Sequence, residues 1–170
     1  NSTVISADGS TIHLRPNGTF SSSGELIVYS NGNVAVEGNL LLNGVPLGSS
    51  NTVLWSGATY MTGSQTITLS KPVSEQANGI VLIFSRYNGT AADEANFNHF
   101  FVSKYFVANK GGTGSAFTMA TVNFSVVASK YLYISDTTIK GNDLNTASGT
   151  GTSGIKYDNS GYCLRYVIGV

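Results

Sequence analysis

The chain has 170 residues, of which nine are basic and nine acidic, and only 11% are charged. A net charge of zero without a basic block gives no electrostatic basis for nucleic-acid binding. One cysteine excludes an internal disulfide, no Cys/His cluster has zinc-ligand spacing, and no apolar run reaches the ~20 residues of a membrane span. The 20 glycines, among abundant Ser, Thr and Asn, are typical of an all-β protein rich in turns.

The first 47 residues alternate between apolar and polar side chains. Within the stretch "GNVAVEGNLLLNG" (32–44), glycines recur every six residues, at Gly32, Gly38 and Gly44. The large apolar side chains that share even numbers are Ile12, Leu14, Phe20, Leu26, Val28, Val34, Val36, Leu40 and Leu42. A period of two is typical of half-buried strands, and glycine allows the chain to bend at corners. We therefore predict a short β-helix-like neck over residues 1–47.

This neck has too few large apolar side chains to offset the entropy of ordering its own backbone. Three Asn-Gly pairs, at 17–18, 31–32 and 43–44, mark turns but add no core. We therefore expect several copies of the chain to wind together, each giving its even-numbered face to a shared axis. Three copies suit hexads with corner glycines, although other symmetries and an ordinary monomeric sheet extension stay open at this point.

The stretch "LGSSNT" (47–52) is a Gly/Ser-rich linker, which places a boundary at 48–52 before a second domain at 53–170. Strand candidates in that domain lie at 65–70, 79–87, 98–107, 117–128, 130–135 and 162–170. The continuous apolar run 79–87 predicts a central strand, and a phase slip near Thr121 predicts a β-bulge. Short strands with polar loops favour an antiparallel β-sandwich of jelly-roll type.

The last strand candidate holds two residues with separate expectations. Cys163 has apolar neighbours and is expected to be a buried thiol. Arg165 lies among apolar residues and needs a carboxylate partner, either within the chain or across a subunit contact. At the other end, the chain begins with Asn1 rather than methionine, so we expect a fragment or a processed form.

Several motifs of the second domain resemble one family in their expected order. They are "LSKPVSEQANGIVLIFSRY", "FNHFFVSKYFV", "KYLYISDTTIKGNDLN", "GTGTSGIKYDN" and "LRYVIGV". They resemble the head domain of receptor-binding tail proteins from siphophages of Gram-positive hosts, Listeria phages above all. Residues 1–47 are similar to the neck or shoulder that precedes such heads. Two positions depart from the family pattern: Asn142 stands where a histidine is common, and Ser103 where proline is expected.

The resemblance implies a homotrimer at the tail tip of a virion, attached to upstream tail or baseplate proteins. It implies adhesion to a host cell-wall saccharide, with wall teichoic acid as the expected polymer. No nucleic acid, membrane, metal or cofactor is expected to take part.

Saccharide sites combine aromatic rings with amides and carboxylates carried on loops. Two loops, 86–99 and 135–145, are rich in such side chains. The predicted saccharide-binding residues are Tyr87, Asn88, Asp93, Asn98, His99, Asp136, Lys140, Asn142 and Asn145. Lys140 or Lys104 could meet a phosphate of the polymer, and residues 157–159 form a third, weaker set. Asn and Asp are also frequent in turns, where they bind local backbone groups instead.

Catalysis is not expected. Glycoside hydrolysis needs a pair of carboxylates flanking the bond, and Asp136 with Asp143 is the one pair that flanks a predicted turn. Neither histidine lies near a nucleophile elbow, and "GGTGSA" (111–116) lacks the Lys and helix of a phosphate loop. The sequence therefore favours a binding protein, with a tailspike-like glycan depolymerase or a purely structural tail-fibre segment as alternatives.

Overall fold

The computed structural model describes residues 4–8, 11–15, 26–36, 41–42, 45–46, 51–121 and 126–170. The chain divides into two compact units, Asn1–Gly48 and Ser49–Val170. The named strands pair antiparallel throughout, and the one α-helix of the described residues is seven residues long. The prediction of an all-β protein is therefore confirmed. No helix in the described ranges has the length and apolar character to span a membrane.

The first unit contains a four-stranded meander and a small hairpin. Its strands are β1 (Val4–Asp8), β2 (Thr11–Arg15), β3 (Leu26–Tyr29), β4 (Val34–Val36), β5 (Leu41–Leu42) and β6 (Val45–Pro46). The sheet order is β1-β2-β3-β4, and β5 pairs with β6. Between β3 and β4 the predicted turn is present, because Gly32 adopts a φ of +84° and donates its N–H to the Tyr29 carbonyl at 3.0 Å. The other two Asn-Gly pairs lie outside the described residues.

The strand register places apolar residues on one face of this meander. Ile12 lies opposite Val28, which lies opposite Val34 in the next strand. Ile5 shares that face despite its odd number, because β1 pairs it with Leu14. The exposed fractions of Ile5, Ile12 and Val34 are 71%, 48% and 59% within the single chain. The even-numbered alternation predicts this face correctly for β2, β3 and β4 but not for β1. The β-helix-like winding stays a prediction, and Phe20 and Leu40 lie outside the described residues.

The second unit contains two four-stranded antiparallel sheets. Along the chain its elements are β7 (Thr52–Thr59), β8 (Thr66–Thr68), β9 (Gly79–Arg86), β10 (Asn98–Ser103), α1 (Lys104–Lys110), β11 (Gly114–Met119), β12 (Ala128–Ile134), β13 (Thr138–Lys140), β14 (Ser148–Thr150), β15 (Lys156–Asp158) and β16 (Tyr162–Gly169). One sheet has the order β10-β9-β16-β7 and the other β11-β12-β13-β8, while β14 pairs with β15. The described part of this unit also has single-turn 3₁₀ helices at Val73–Glu75, Asp143–Thr146 and Asn159–Gly161.

Buried side chains from both sheets form one hydrophobic core. The ring of Phe100 in β10 lies 5.9 Å from that of Phe84 in β9 and 5.3 Å from that of Phe117 in β11. Strand β9 lies between β10 and β16, so the prediction that residues 79–87 form a central strand is confirmed. This rigid frame carries the loops of the unit at its edges.

Two strand predictions need correction. Residues 98–107 are not one strand, because α1 begins after Ser103, whose hydroxyl accepts the Phe106 N–H at 3.1 Å and caps the helix. Residues 117–128 are not one strand either, because β11 ends at Met119 and β12 begins at Ala128. The predicted bulge near Thr121 therefore does not lie within β11, and residues 122–125 lie outside the described residues. An irregularity occurs instead in β16, where the register with β9 and β7 shifts between Leu164 and Tyr166.

Arg165 occupies that irregularity and finds its partners within the chain. Its Nη2 atom lies 2.6 Å from Glu94 Oε1, and its Nε donates to the Gly57 carbonyl at 3.1 Å. The hydrogen bond to Glu94 raises the pKa of Arg165. Of the two expected alternatives, the intrachain ion pair is the one observed. Cys163 is buried as predicted, and burial raises the pKa of its thiol.

Candidate functional site

An open depression of about 530 Å³ lies where β12 and β13 end. Its lining residues are Gly63, Thr66, Gly112, Tyr133, Ser135, Thr138, Lys140, Gly141, Asn142 and Asp143. We call it the Tyr133 depression. It offers one aromatic ring, four hydroxyls, an amide, an ammonium group and a carboxylate, which is the mixture of groups that polyhydroxyl ligands require.

The ring and the amide of this depression are held in place. The Asn142 side-chain amide donates to the Tyr133 hydroxyl at 3.2 Å. The amide oxygen of Asn142 accepts the Leu144 N–H at 2.9 Å and so caps the following 3₁₀ turn. Tyr133 is itself packed edge-on against Tyr131, with ring centroids 5.5 Å apart. A ligand would therefore meet a preordered surface.

Glycine at position 141 allows two chain segments to meet beneath the depression. A Cβ atom at Gly141 would collide with the Met61 carbonyl. That carbonyl also accepts the Asn142 N–H at 3.0 Å and the Asn145 side-chain amide at 2.6 Å. Met61 is fully buried and has a φ of +59°, a left-handed conformation that is costly for a bulky residue. The hydrogen bonds to residues 142 and 145 hold this strained turn in position.

The two charged groups of the depression differ in their surroundings. Asp143 accepts the Gly63 N–H at 2.9 Å through one carboxylate oxygen, which fixes its position. Lys140 is exposed, and no hydrogen bond or ion pair engages its ammonium group among the described residues. Lys140 is therefore the charged group that a ligand can recruit without breaking an existing contact.

A buried lysine, Lys130, joins three loops of the second unit through hydrogen bonds to their backbone carbonyls. Lys130 is fully buried, and its Nζ donates to the carbonyls of Asn159 at 2.6 Å, Asn145 at 2.8 Å and Tyr60 at 3.3 Å. Burial lowers its pKa to about 8. Lys130 is not among the residues predicted from the sequence, although it shares the even numbering of the buried Leu132 and Ile134 and so lies on the inner face of β12.

A second depression, of about 250 Å³, lies beside the turn that follows β9. It is lined by Tyr60, Arg86, Tyr87, Asn88, Gly89, Asp158, Ser160 and Gly161. We call it the Arg86 depression. Asn88 builds the turn, since its side-chain oxygen accepts the N–H groups of Thr90 and Ala91, both at 3.0 Å. Its amide nitrogen donates to Asp93 at 2.7 Å.

The structure brings four of the nine predicted site residues to these two depressions. Lys140 and Asn142 line the first, and Tyr87 and Asn88 line the second. The other five predicted residues line neither of them: Asp93, Asn98, His99, Asp136 and Asn145.

Four of those five side chains make hydrogen bonds that stabilise the fold. Asn98 is buried and accepts the Ala120 N–H at 2.7 Å. Asp136 accepts the Ser74 N–H at 2.7 Å and so orders the first 3₁₀ turn. Asn145 is fully buried and accepts the Tyr131 N–H at 2.6 Å, and Asp93 receives the Asn88 amide. These side chains therefore bind backbone groups of the fold, which is the alternative to ligand binding that Asn and Asp residues in loops present.

His99 and the third predicted set, residues 157–159, differ from these four residues in their surroundings. His99 is exposed on β10 and stacks on Phe97 with ring centroids 6.5 Å apart. Asp158 lines the Arg86 depression, whereas Asn159 bridges the Ser129 N–H and the Leu144 carbonyl. Lys104 donates to the Gln76 carbonyl at 3.1 Å and is not free to meet a phosphate without losing that bond.

An apolar groove of about 420 Å³ lies on another part of the same unit. It is lined by Phe101, Val102, Ser103, Phe106, Ser115 and Phe117. The exposed fraction of Phe101 is 58%, and that of Tyr105, in the adjoining helix, is 78%. The polar side chains among its lining residues are two serines, Ser103 and Ser115, and none of its lining residues is charged.

The described residues contain no cluster of three or more His, Cys, Asp or Glu side chains that could hold a metal ion. No model of a known protein family matches the chain, and no curated protein matches it significantly.

Proposed function

We propose that this chain is a receptor-binding protein of a phage tail that adheres to a host cell-wall saccharide, with wall teichoic acid as the polymer. The observation that carries the proposal is the Tyr133 depression, where an oriented ring and amide lie beside a lysine without a partner among the described residues. Its volume of about 530 Å³ suits one or two sugar units.

Binding would use each group in a different way. The Tyr133 ring would cover the apolar C–H face of a sugar, while Thr66, Ser135 and Thr138 would exchange hydrogen bonds with its hydroxyls. Lys140 would pair with a phosphate of the polymer as a charge-assisted donor. Asn142 would fix the orientation of the ligand.

The residues that line the Tyr133 depression support binding of the saccharide without its hydrolysis. Asp143 is the one carboxylate among the lining residues of the Tyr133 depression, and hydrolysis of a glycosidic bond needs two. Asp136, the expected second carboxylate, is engaged by the Ser74 N–H and hydroxyl at 2.7 and 2.9 Å. Steady release of oligosaccharide from cell walls would instead favour the depolymerase, and failure to decorate host cells would favour a structural fibre segment.

We propose a homotrimer as the working assembly, located at the tail tip of the virion and joined to upstream tail or baseplate proteins. The apolar face of the first unit supports this, since Ile5, Ile12 and Val34 are exposed there in a single chain. The other two subunits of the trimer would cover that face by intertwining with it in a β-helix-like neck. The second unit would be a jelly-roll-like sandwich, a form supported by two antiparallel sheets that share one core.

Light scattering on the purified chain is expected to give about three times the 17.8 kDa chain mass. The physical reason is the hydrophobic gain from covering the exposed aliphatic face. Val34→Lys would place charges on that face and is expected to shift the mass toward that of one chain. A monodisperse, folded wild-type monomer at micromolar concentration would contradict the assembly.

Replacing Lys140 with alanine is expected to weaken binding to an anionic cell-wall polymer by about tenfold, the loss of one charge-assisted hydrogen bond. Because Lys140 is exposed, the unfolding temperature should not change. Binding is measured on immobilised teichoic acids and neutral wall polysaccharides. Lys156→Ala, at an exposed lysine outside both depressions, is the matched control. Equal losses in both variants would mean that only general charge matters.

A further inference from the structure

Arg86 carries a guanidinium group that, like the Lys140 ammonium, has no partner among the described residues. It is exposed at the end of β9, and no hydrogen bond or ion pair engages it among the described residues. Arg165, by contrast, is fixed by Glu94, Ser85 and Gly57. Arg86 lines the Arg86 depression and also a smaller one of about 110 Å³, with Asp158 and Gly161 common to both.

Two tyrosine rings form an aromatic wall beside this guanidinium. The rings of Tyr60 and Tyr87 meet edge to face with centroids 4.8 Å apart. The Tyr87 hydroxyl donates to the Thr90 carbonyl at 3.1 Å, which fixes that ring. Burial and the neighbouring Tyr87 side chain raise the pKa of Tyr60, so the Tyr60 ring stays neutral at physiological pH. The wall therefore provides apolar contact without adding charge.

The backbone around Arg86 is rigid. The Tyr87 N–H donates to the Gly161 carbonyl at 2.9 Å, and β9 pairs Arg86 with Tyr162 of β16. Asp158 accepts the N–H and the hydroxyl of Ser160, at 3.1 and 2.5 Å, through the same carboxylate oxygen. These bonds hold the one carboxylate of the Arg86 depression in a turn, while the guanidinium stays available.

We propose that the Arg86 depression is a second ligand site, which binds the oxyanion of an acidic sugar unit, either a phosphate ester or a carboxylate. A planar guanidinium offers two parallel N–H donors to either group. The tyrosine rings then take the C–H face of the attached sugar, and a volume of about 250 Å³ fits a single unit. That this unit belongs to the host polymer rests on the proposed function; the anion site itself does not.

Titration of the full chain with glucose 1-phosphate, glucuronate and glucose tests the site, with binding followed by NMR chemical-shift changes. The two anions should bind at least tenfold more tightly than glucose, and comparison between them identifies which oxyanion the site prefers. Added salt should weaken both anions and leave glucose unaffected. Equal binding of glucose and the anions would overturn the proposal.

Four variants complete the test. Arg86→Gln should lose at least tenfold in affinity for the anions, and Arg86→Lys should retain part of that affinity, because the charge stays but the two parallel N–H donors are lost.

Asp158→Asn should tighten anion binding, since it removes a negative charge while an asparagine can still cap the turn. Lys71→Gln, at an exposed lysine that lines neither depression, is the control. An unchanged affinity in Arg86→Gln would refute the site.

The Lys140→Ala variant separates this proposal from the proposed function. It should bind the acidic sugars at Arg86 normally while binding the host polymer less well. If the wild-type chain ignores every wall polymer but still binds acidic sugars through Arg86, the adhesin role fails and the anion site stands. If polymer binding depends on Lys140 and no variant of Arg86 changes sugar binding, the anion site fails alone.

Discussion

Lys130→Met is expected to destabilise the second unit by about 3–5 kcal/mol, because the methionine leaves the carbonyls of Tyr60, Asn145 and Asn159 without their common donor. For a unit of this size, the unfolding temperature should fall by roughly 10 °C or more. The three carbonyls belong to separate loops, so the loss should also loosen both depressions. Thermal and urea unfolding followed by circular dichroism measure the effect.

The same lysine should give the protein a distinctive pH dependence. Burial lowers the pKa of Lys130 from 10.5 to about 8, with Cys163 and Asp158 acting weakly in the opposite direction. The folded state therefore releases this proton at lower pH than the unfolded state does. Stability is lowest, as far as this group is concerned, below about pH 8 and rises between pH 8 and 10.5. The rise should be missing from the Lys130→Met variant.

Lys104→Met is the matched control for this prediction. Lys104 donates to a single carbonyl, that of Gln76, and is only partly buried. Its replacement should cost about 1 kcal/mol, the net contribution of one ordinary hydrogen bond. A Lys130→Met protein as stable as Lys104→Met would show that the buried ammonium does not hold the three loops together.

Gly141→Ala is expected to cost about 3 kcal/mol and to abolish saccharide binding. The added Cβ atom would collide with the Met61 carbonyl, a backbone atom that cannot rotate away. That carbonyl is fixed by the Asn142 N–H and the Asn145 amide, so relief of the collision requires the 61–65 turn to move. Because Gly63 and Gly141 both line the Tyr133 depression, the movement would change its shape.

Gly151→Ala provides the comparison. A Cβ at that position would approach no atom closer than 3.6 Å, which is an ordinary contact. Its unfolding free energy should stay within about 0.5 kcal/mol of the wild type, with unchanged saccharide binding. If Gly141→Ala behaves in the same way, the 61–65 turn is not fixed as the structure indicates.

Strands were predictable from the sequence where the pattern of apolar and polar side chains matches the pattern of buried and exposed positions. The apolar run at 79–87 identified the central strand β9, and the even-numbered residues of β2 to β4 identified one face of the meander. The helix α1 was missed because its aromatic and β-branched residues favour strands, and a single capping hydroxyl at Ser103 decided otherwise. The side-chain alternation also did not predict the register of β1, whose odd-numbered Ile5 pairs with the even-numbered Leu14 of β2.

The candidate site was predictable only in part, because polar loop residues serve turns and ligands alike. Lys140 and Asn142 line a depression, whereas Asn145, from the same loop, is buried under it. Tyr133 was overlooked because it belongs to a strand rather than to a loop. Arg86 was overlooked because its lack of a partner is a property of the folded chain, not of the sequence.

The most direct test of the proposed function is a crystal structure of the protein soaked with teichoic acid oligomers. We expect a sugar unit on the Tyr133 ring, within hydrogen-bonding distance of Asn142, and a phosphate at Lys140. Oligomers bound only in the apolar groove around Phe101, or cleaved into products, would contradict the proposed function.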